Sequence, residues 1–186
     1  MRTRPVGEPA QHWLRSRFVR SAAELQAVAE ELGPALQGGD LLILTGGLGA
    51  GKTTFTQGLG RGLGVRGTVI SPTFILVRNH PSLTGGPGLV HVDAYRLEGT
   101  EEVDDLDLEA SLDSSVTVIE WGAGRAEHLS DSRLEITITR PTGAGAAADG
   151  RGITTDFSDD VDEEREVRVA GFGPRWSAGP PPGLLD

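Results

Sequence analysis

A glycine-rich segment between an apolar run and a run compatible with a helix constrains this chain more than any other feature. Residues 46–53 read GGLGAGKT and fit the pattern G-x-x-x-x-G-K-[S/T], and the apolar run LLIL at positions 41–44 lies just before them. A loop of this kind presents successive backbone N–H groups to phosphate oxygens, and the N-terminus of the following helix adds partial positive charge. The order strand, loop, helix therefore predicts an α/β fold built around a phosphate-binding loop.

Lys52 is the only lysine in the 186 residues, and the other sixteen basic side chains are arginines. A lysine ammonium is a compact charge on a long stem, which suits contact with the β- and γ-phosphates of a nucleotide. The hydroxyl of Thr53 is the expected ligand for Mg²⁺ in such a loop. The alternative is a glycine-rich turn without a ligand, and the flanking strand and helix patterns favour the phosphate site.

Composition excludes several other classes of function. The formal charge is −10, so nonspecific binding of the whole surface to nucleic acid is not expected. The chain has no cysteine and only four scattered histidines, which gives no support to disulfides, thiol catalysis or a zinc site. The N-terminal residues lack an apolar signal-peptide core, and no apolar stretch approaches the ~18 residues of a membrane span. We expect a soluble cytoplasmic protein with no membrane contact.

The chain divides by composition into one domain with loose ends. We expect a flexible N-terminal arm at 1–13, a single domain at 14–172 and a disordered tail at 173–186, with 140–163 as a mobile insertion loop. A capping box at Ser21 to Glu24 predicts a helix that ends near Gly33. Strands are predicted at 14–20, 40–45, 74–78, 89–93 and 116–120, with one or two short helices within 101–114.

Two further patterns concern the glycines and the C-terminal part. The helix after Lys52 carries four glycines, each of which costs about 1 kcal/mol relative to alanine in a helix interior, so it is expected to be short or frayed and to end near Gly64. The segments RLEITIT at 133–139 and EVRVA at 166–170 alternate as strands do, and they are predicted to pair antiparallel.

Two apolar strands end in a carboxylate. LVHVD finishes at Asp93 and VTVIE at Glu120, and open α/β sheets bind their ligands at the carboxyl ends of strands. Both residues are therefore candidates for the metal site or for orienting the attacking water. Thr73 in the SPTF segment fits a simple proline turn, or a switch if that loop folds over the γ-phosphate. Trp121 fits either packing or a wall of the nucleotide pocket.

Four segments in this order resemble the TsaE family: GGLGAGKTTFTQGLGRGLGV, SPTFILVRNH, HVDAYRL and VIEWGAGRAEHLSDSRLEITI. The resemblance covers about 18–170. It implies a P-loop NTPase-like three-layer fold with a mixed, largely parallel sheet and, from the pairing above, an antiparallel C-terminal extension. It also implies ATP and Mg²⁺ as ligands and weak ATPase activity of the isolated protein.

The resemblance also implies partners and residue roles. It implies that the chain uses ATP to reset the TsaD and TsaB pair between turnovers. That pair modifies adenosine 37 of tRNA, so the chain would contact tRNA only indirectly. Thr53 and Glu120 correspond to the metal site, Lys52, Asp93 and Glu120 to the catalytic groups, and Thr73 to the threonine of S-P-T. The residues matching the nucleotide site are Gly47, Leu48, Gly49, Ala50, Gly51, Lys52, Thr53, Thr54, Trp121 and, at the adenine end, Ala23. Gly47 stands where many relatives have aspartate.

Three other functions compete with an Mg²⁺-dependent ATPase. A small-molecule kinase usually closes a lid carrying arginines, and the candidate lid at 140–163 has only Arg140 and Arg151 among acidic residues. A GTPase commonly reads guanine through N/T-K-x-D, for which this chain has no second lysine. A nucleotide-gated binding module with incidental hydrolysis shares the same phosphate site, and the sequence leaves that alternative open.

Overall fold

The computed structural model describes residues 8–141 and 163–186 of the chain. Its strands and helices follow the order predicted for an α/β fold. They are β1 Gln11–Val19, α1 Ala22–Leu32, β2 Leu41–Thr45, α2 Lys52–Leu63, β3 Val77–His80, β4 Gly88–Asp93, α3 Thr100–Asp104, α4 Glu109–Leu112, β5 Ser115–Glu120, β6 Arg133–Thr139 and β7 Arg165–Phe172.

One seven-stranded sheet in the order β1-β7-β6-β2-β5-β4-β3 forms the centre of the molecule. The four middle strands, β6, β2, β5 and β4, run parallel to one another. At one side β7 pairs antiparallel with β6, and β1 pairs antiparallel with β7. At the other edge β3 pairs antiparallel with β4. The predicted mixed sheet with an antiparallel C-terminal extension is confirmed.

Successive side chains of β2 point to opposite faces of the sheet and into two separate apolar layers, as strand geometry requires. Leu42 and Leu44 belong to a core with residues of α1 and α2. Leu41 and Ile43 belong to a second core that contains Val103 and Leu108. The sheet is thus covered on both faces, which is the usual arrangement for parallel strands and confirms the three-layer architecture.

The two helices on one face pack closely through glycine. A Cβ atom on Gly58 would lie 2.1 Å from the carbonyl oxygen of Gln26, and one on Gly62 would lie 2.3 Å from that of Glu30. The glycines of α2 therefore allow contact with the backbone of α1. The expectation of a short or frayed helix is wrong, since α2 runs without interruption to Leu63 and ends at Gly64 in a left-handed conformation.

Both ends of the described chain differ from the sequence-based prediction. The arm predicted for 1–13 is wrong in its last residues: β1 begins at Gln11, and Trp13 is buried. The disordered tail predicted for 173–186 is also wrong. Trp176, Leu184 and Leu185 are buried in the core, and the rings of Trp176 and Trp13 pack nearly perpendicular to each other, with their centroids 6.2 Å apart. The composition of these segments predicted disorder, but Trp13 and Trp176 bury enough apolar surface to hold both segments against the core.

Two smaller points concern internal segments. The strand predicted from Phe74 begins instead at Val77, and the Phe74 side chain is exposed. Most of the insertion loop predicted at 140–163 lies outside the described residues.

Within 8–141 and 163–186, none of the helices has the length and apolar character needed to cross a lipid bilayer.

Candidate functional site

A cleft forms above the glycine-rich loop, where β2, β5 and β4 present their carboxyl ends. The loop turns through left-handed conformations at Gly49 (φ 71°) and Gly51 (φ 111°), which favour glycine. A Cβ atom on Gly51 would also lie 2.6 Å from a methyl carbon of Leu25. The backbone angle therefore favours glycine at position 51, and a Cβ there would also require the Leu25 side chain to shift.

Lys52 is buried at the N-terminus of α2. Its Nζ donates hydrogen bonds to the carbonyl oxygens of Gly46 at 2.7 Å and Gly47 at 2.9 Å. The same Nζ lies 3.8 Å from the ring centroid of Trp121. Burial lowers the pKa of Lys52, and the nearby charges of Glu120 and Asp93 oppose that shift. The ammonium thus lies inside the loop, close to both carboxylates predicted from strand ends.

Glu120 is buried at the end of β5 and has contacts from two other elements. The hydroxyl of Thr53 donates to its Oε1 at 3.0 Å. On the other side, Nε2 of His91 lies 2.8 Å from the same oxygen, and the imidazole is fully buried. The carboxylate is held between the start of α2 and strand β4, which leaves it little freedom to rotate.

Asp93 lies beside Glu120, because the register of β4 and β5 pairs the two residues. Its Oδ2 accepts a hydrogen bond from the hydroxyl of Thr73 at 2.9 Å, and its Oδ1 accepts one from the backbone N–H of Tyr95 at 2.9 Å. The hydroxyls of Ser71 and Thr73 are 2.6 Å apart. Asp93 therefore anchors the S-P-T segment at the cleft, although Thr73 lies 20 residues away in the chain.

Trp121 forms one wall of the cleft. Its backbone is left-handed, with φ 61°, which is uncommon for a bulky side chain. The backbone N–H of Trp121 donates to the carbonyl oxygen of Leu44 at 3.0 Å, and Nη1 of Arg125 donates to the carbonyl oxygen of Trp121 at 3.0 Å. The indole packs against Tyr95 with the ring centroids 5.0 Å apart. These contacts hold the ring over Lys52.

Most of the predicted site residues meet in this cleft. Those that line it are Leu48, Gly49, Gly51, Lys52, Thr53, Thr54, Thr73, Asp93, Glu120 and Trp121. Ala50 is buried behind the loop, and Gly47 is exposed and contributes its carbonyl oxygen to Lys52. Ala23 is exposed near the start of α1, outside this lining. Its place at the adenine end stays a prediction.

The residues present fit Mg²⁺ bound together with a nucleotide. Thr53 and Glu120 offer a hydroxyl and a carboxylate 3.0 Å apart, and Mg²⁺ prefers oxygen ligands of this kind. In the parts of the chain that the structure describes, no group of three or more histidines, aspartates or glutamates could hold a metal. Two protein ligands leave the remaining coordination positions of Mg²⁺ to phosphate oxygens and water, which is how Mg²⁺ is commonly bound at nucleotide sites.

Three residues in the cleft or in contact with its side chains were not among the predicted ones. His91 precedes Asp93 by two residues on the same strand, so strand periodicity places both on one face, but the contact with Glu120 depends on how β4 and β5 pair. Tyr95 belongs to the HVDAYRL segment, but nothing in the sequence assigns it a place at the cleft. Arg165 lines the cleft from the start of β7, which lies far along the chain from the loop.

A parallel sheet whose central strand leads into a glycine-rich loop, with a lysine and two strand-end carboxylates around one cleft, defines the P-loop NTPase-like class. The family model described as "Threonylcarbamoyl adenosine biosynthesis protein TsaE" matches residues 19–147. The chain belongs to the TsaE family, as the resemblance of its four segments predicted.

Individual relatives agree with this membership. The chain is 50% identical over 154 residues to the tRNA threonylcarbamoyladenosine biosynthesis protein TsaE of Streptomyces coelicolor, a match covering 82% of this chain and 94% of that protein. It is 36% identical to the TsaE of Bacillus subtilis, a match covering 82% of this chain and 83% of that protein. Among solved structures it is similar to Bacillus subtilis YdiB, with a TM-score of 0.64 and 28% identity over 89% of this chain and 90% of that one.

Proposed function

We propose that this chain binds and hydrolyses ATP with Mg²⁺ as an accessory protein of the tRNA threonylcarbamoyladenosine modification at adenosine 37. The observation that carries the proposal is the convergence of Lys52, Thr53, Glu120 and Asp93 on one cleft above the glycine-rich loop. Membership of the TsaE family supports the pathway, and the loop chemistry supports a nucleotide as ligand.

Each polar group in the cleft has a role in this proposal. Lys52 exchanges its carbonyl contacts for the β- and γ-phosphates and neutralises charge that develops there. Thr53 and Glu120 hold Mg²⁺, which when bound supplies further charge neutralisation at the phosphates. Asp93 or Glu120 orients the attacking water. His91 and Thr73 hold these two carboxylates in place through the contacts already described.

The proposed partners are the TsaD and TsaB homologues, and the use of ATP is to reset that pair between turnovers. The acidic surface, with a formal charge of −10, favours contact with tRNA only through those partners. Family membership favours this function over a small-molecule kinase.

Reconstitution with TsaD, TsaB, tRNA and ATP tests the proposal. Lys52→Ala is expected to abolish repeated turnover of tRNA modification. The matched control is Arg17→Ala, which removes one positive charge from an exposed position and is expected to leave turnover unchanged. Multiple turnover by Lys52→Ala at the wild-type level would contradict the proposal.

A second variant distinguishes hydrolysis from binding alone. Glu120→Gln removes the carboxylate charge at the metal and is expected to retain nucleotide while losing hydrolysis. If hydrolysis resets the complex, this variant supports a single turnover only. Full multiple turnover with Glu120→Gln, together with absent hydrolysis, would show that the chain acts as a nucleotide-gated binding module.

A further inference from the structure

The turn that follows β5 returns an arginine to the end of the sheet. The backbone N–H groups of Arg125 and Ala126 both donate to the carbonyl oxygen of Gly122 at 3.0 Å, so the chain folds back directly after Trp121. Ala126 is fully buried in the apolar core on the α3 side of the sheet and anchors this turn. The side chain of Arg125 thereby reaches the carboxyl ends of β4 and β5.

A single nitrogen of Arg125 joins the two strands that carry the cleft carboxylates. Its Nη1 donates to the carbonyl oxygen of Ala94 at 3.0 Å and to that of Trp121 at 3.0 Å. Ala94 follows Asp93 at the end of β4, and Trp121 follows Glu120 at the end of β5. The guanidinium therefore bridges two carbonyl groups that each lie one residue beyond a carboxylate.

This bridge begins where the backbone pairing of the two strands ends. The register of β4 and β5 runs to Asp93 and Glu120, and one more backbone hydrogen bond follows, from the N–H of Ala94 to the carbonyl oxygen of Glu120 at 2.9 Å. In the parts of the chain that the structure describes, the pairing of these two strands has no members beyond this point. Arg125 thus extends the connection by one residue on each strand.

The same arginine supports an uncommon backbone conformation at Trp121. A bulky residue in the left-handed region, here with φ 61°, persists only where the surrounding contacts fix it. Leu44 accepts from the N–H of Trp121, and Arg125 donates to its carbonyl oxygen. Arg125 therefore fixes the side of Trp121 that leads away from β5, and with it the direction of the ring that lies 3.8 Å from Nζ of Lys52.

The bonding pattern of Arg125 separates it from the residues expected to touch a nucleotide. Arg125 is half-buried, and neither it nor Ala94 lines the cleft. Among residues 8–141 and 163–186, no carboxylate forms an ion pair with this guanidinium. Two backbone carbonyl oxygens hold it instead, so what the side chain fixes is the course of the backbone at the two strand ends.

We propose that Arg125 is a positioning residue for ATP hydrolysis, an inference that rests on the proposed function. By joining Ala94 to Trp121, it sets the separation of the carboxylates of Asp93 and Glu120. The orientation of the attacking water depends on that separation, and a misplacement of about 1 Å can lower a rate by about 100-fold. The affinity for ATP depends mainly on the phosphate loop, which Arg125 does not contact.

Single-turnover hydrolysis of ATP with Mg²⁺ by the full-length chain tests the proposal. Arg125→Met keeps a long side chain without donors and is expected to lower the hydrolysis rate constant by about 10- to 100-fold, with little change in the Kd for ATP. Arg125→Lys is expected to recover most of the rate, because one ammonium can donate to both carbonyl oxygens as Nη1 does. Arg66→Met, at an exposed position, is the matched control and is expected to behave as the wild type does.

Two kinetic outcomes would overturn the proposal: a rate constant of Arg125→Met equal to that of the wild type, or a loss that appears only as weaker binding of ATP. A wild-type chain that does not hydrolyse ATP would instead show that the proposed function has failed.

Tryptophan fluorescence without nucleotide tests the positioning independently of hydrolysis. Trp13 and Trp176 are buried, so quenching by acrylamide reports mainly on the partly exposed Trp121. Arg125→Met is expected to increase the quenching, because the ring loses its fixed direction, and Arg125→Lys is expected to resemble the wild type. Unchanged quenching in Arg125→Met would overturn the proposal. An Arg125→Met chain unfolded by circular dichroism would also overturn it, since Arg125 would then support the whole fold.

Discussion

Glu120 depends on three elements for its position. β5 carries it, Thr53 at the start of α2 donates to it, and His91 on β4 lies 2.8 Å from its Oε1. Groups that hold a metal-binding carboxylate in orientation commonly affect metal affinity as much as some direct ligands do. At the scale of single residues, the orientation of the Glu120 carboxylate therefore depends on His91, which does not line the cleft.

Replacing His91 tests that dependence. His91→Leu removes the donor to Glu120 while keeping an apolar side chain of similar size in a fully buried position. We expect the Mg²⁺ concentration needed for tight ATP binding to rise by about 10-fold or more, with little change in affinity measured in EDTA. His91→Gln, which can still donate, is expected to recover part of the loss. A Mg²⁺ requirement unchanged in His91→Leu would contradict this role.

At the scale of elements, the pairing of α1 with α2 decides where the phosphate loop lies. The two helices approach each other backbone to backbone at Gly58 and Gly62, and Leu25 of α1 packs against Gly51 in the loop. The glycines that weaken α2 as an isolated helix thus permit the contact that positions its N-terminus. Helix propensity and tertiary packing act in opposite directions here, and packing prevails.

Alanine substitution measures this balance. Gly58→Ala would gain up to ~1 kcal/mol in helix propensity, but its Cβ would overlap the Gln26 carbonyl, 2.1 Å away. We expect the free energy of unfolding in urea to fall by about 1–3 kcal/mol, as for other overpacked sites. Gly60→Ala, whose Cβ meets a methyl group of Val69 at 2.9 Å, is the comparison in the same helix and is expected to cost less. Equal stability of Gly58→Ala and the wild type would contradict the close packing.

At the scale of the whole molecule, the C-terminal segment returns to close the core at the end of the sheet away from the cleft. Nε1 of Trp13 donates to the carbonyl oxygen of Trp176 at 3.0 Å. Arg175 donates to both carboxylate oxygens of the buried Asp40, just before β2, at 3.1 and 3.2 Å. The first strand, the central strand and the last residues are therefore joined.

Removal of the Trp176 ring tests this closure. Trp176→Ala is expected to lower the free energy of unfolding by about 3–5 kcal/mol, the usual cost of deleting a buried aromatic side chain. Trp176→Phe, which keeps an aromatic ring, is expected to lose less. Urea unfolding followed by circular dichroism provides both values. A Trp176→Ala chain as stable as the wild type would show that the C-terminal segment contributes nothing to the core.

The sequence by itself determined the local features of the protein. The loop at 46–53, the strands ending at Asp93 and Glu120 and the antiparallel pair 133–139 and 166–170 were all predictable, because each depends on periodicity or on a short motif. The family followed from the same segments. These features need only neighbouring residues for their explanation.

Only the tertiary structure decided which distant residues meet. Register brings His91 to Glu120, sheet order brings Arg165 to the phosphate loop, and packing requires the glycines of α2. The order of the C-terminal residues likewise depends on Trp13, 163 positions earlier in the chain. The physical reason is that burial, charge compensation and close packing are properties of pairs in space, and a linear pattern specifies only one member of each pair.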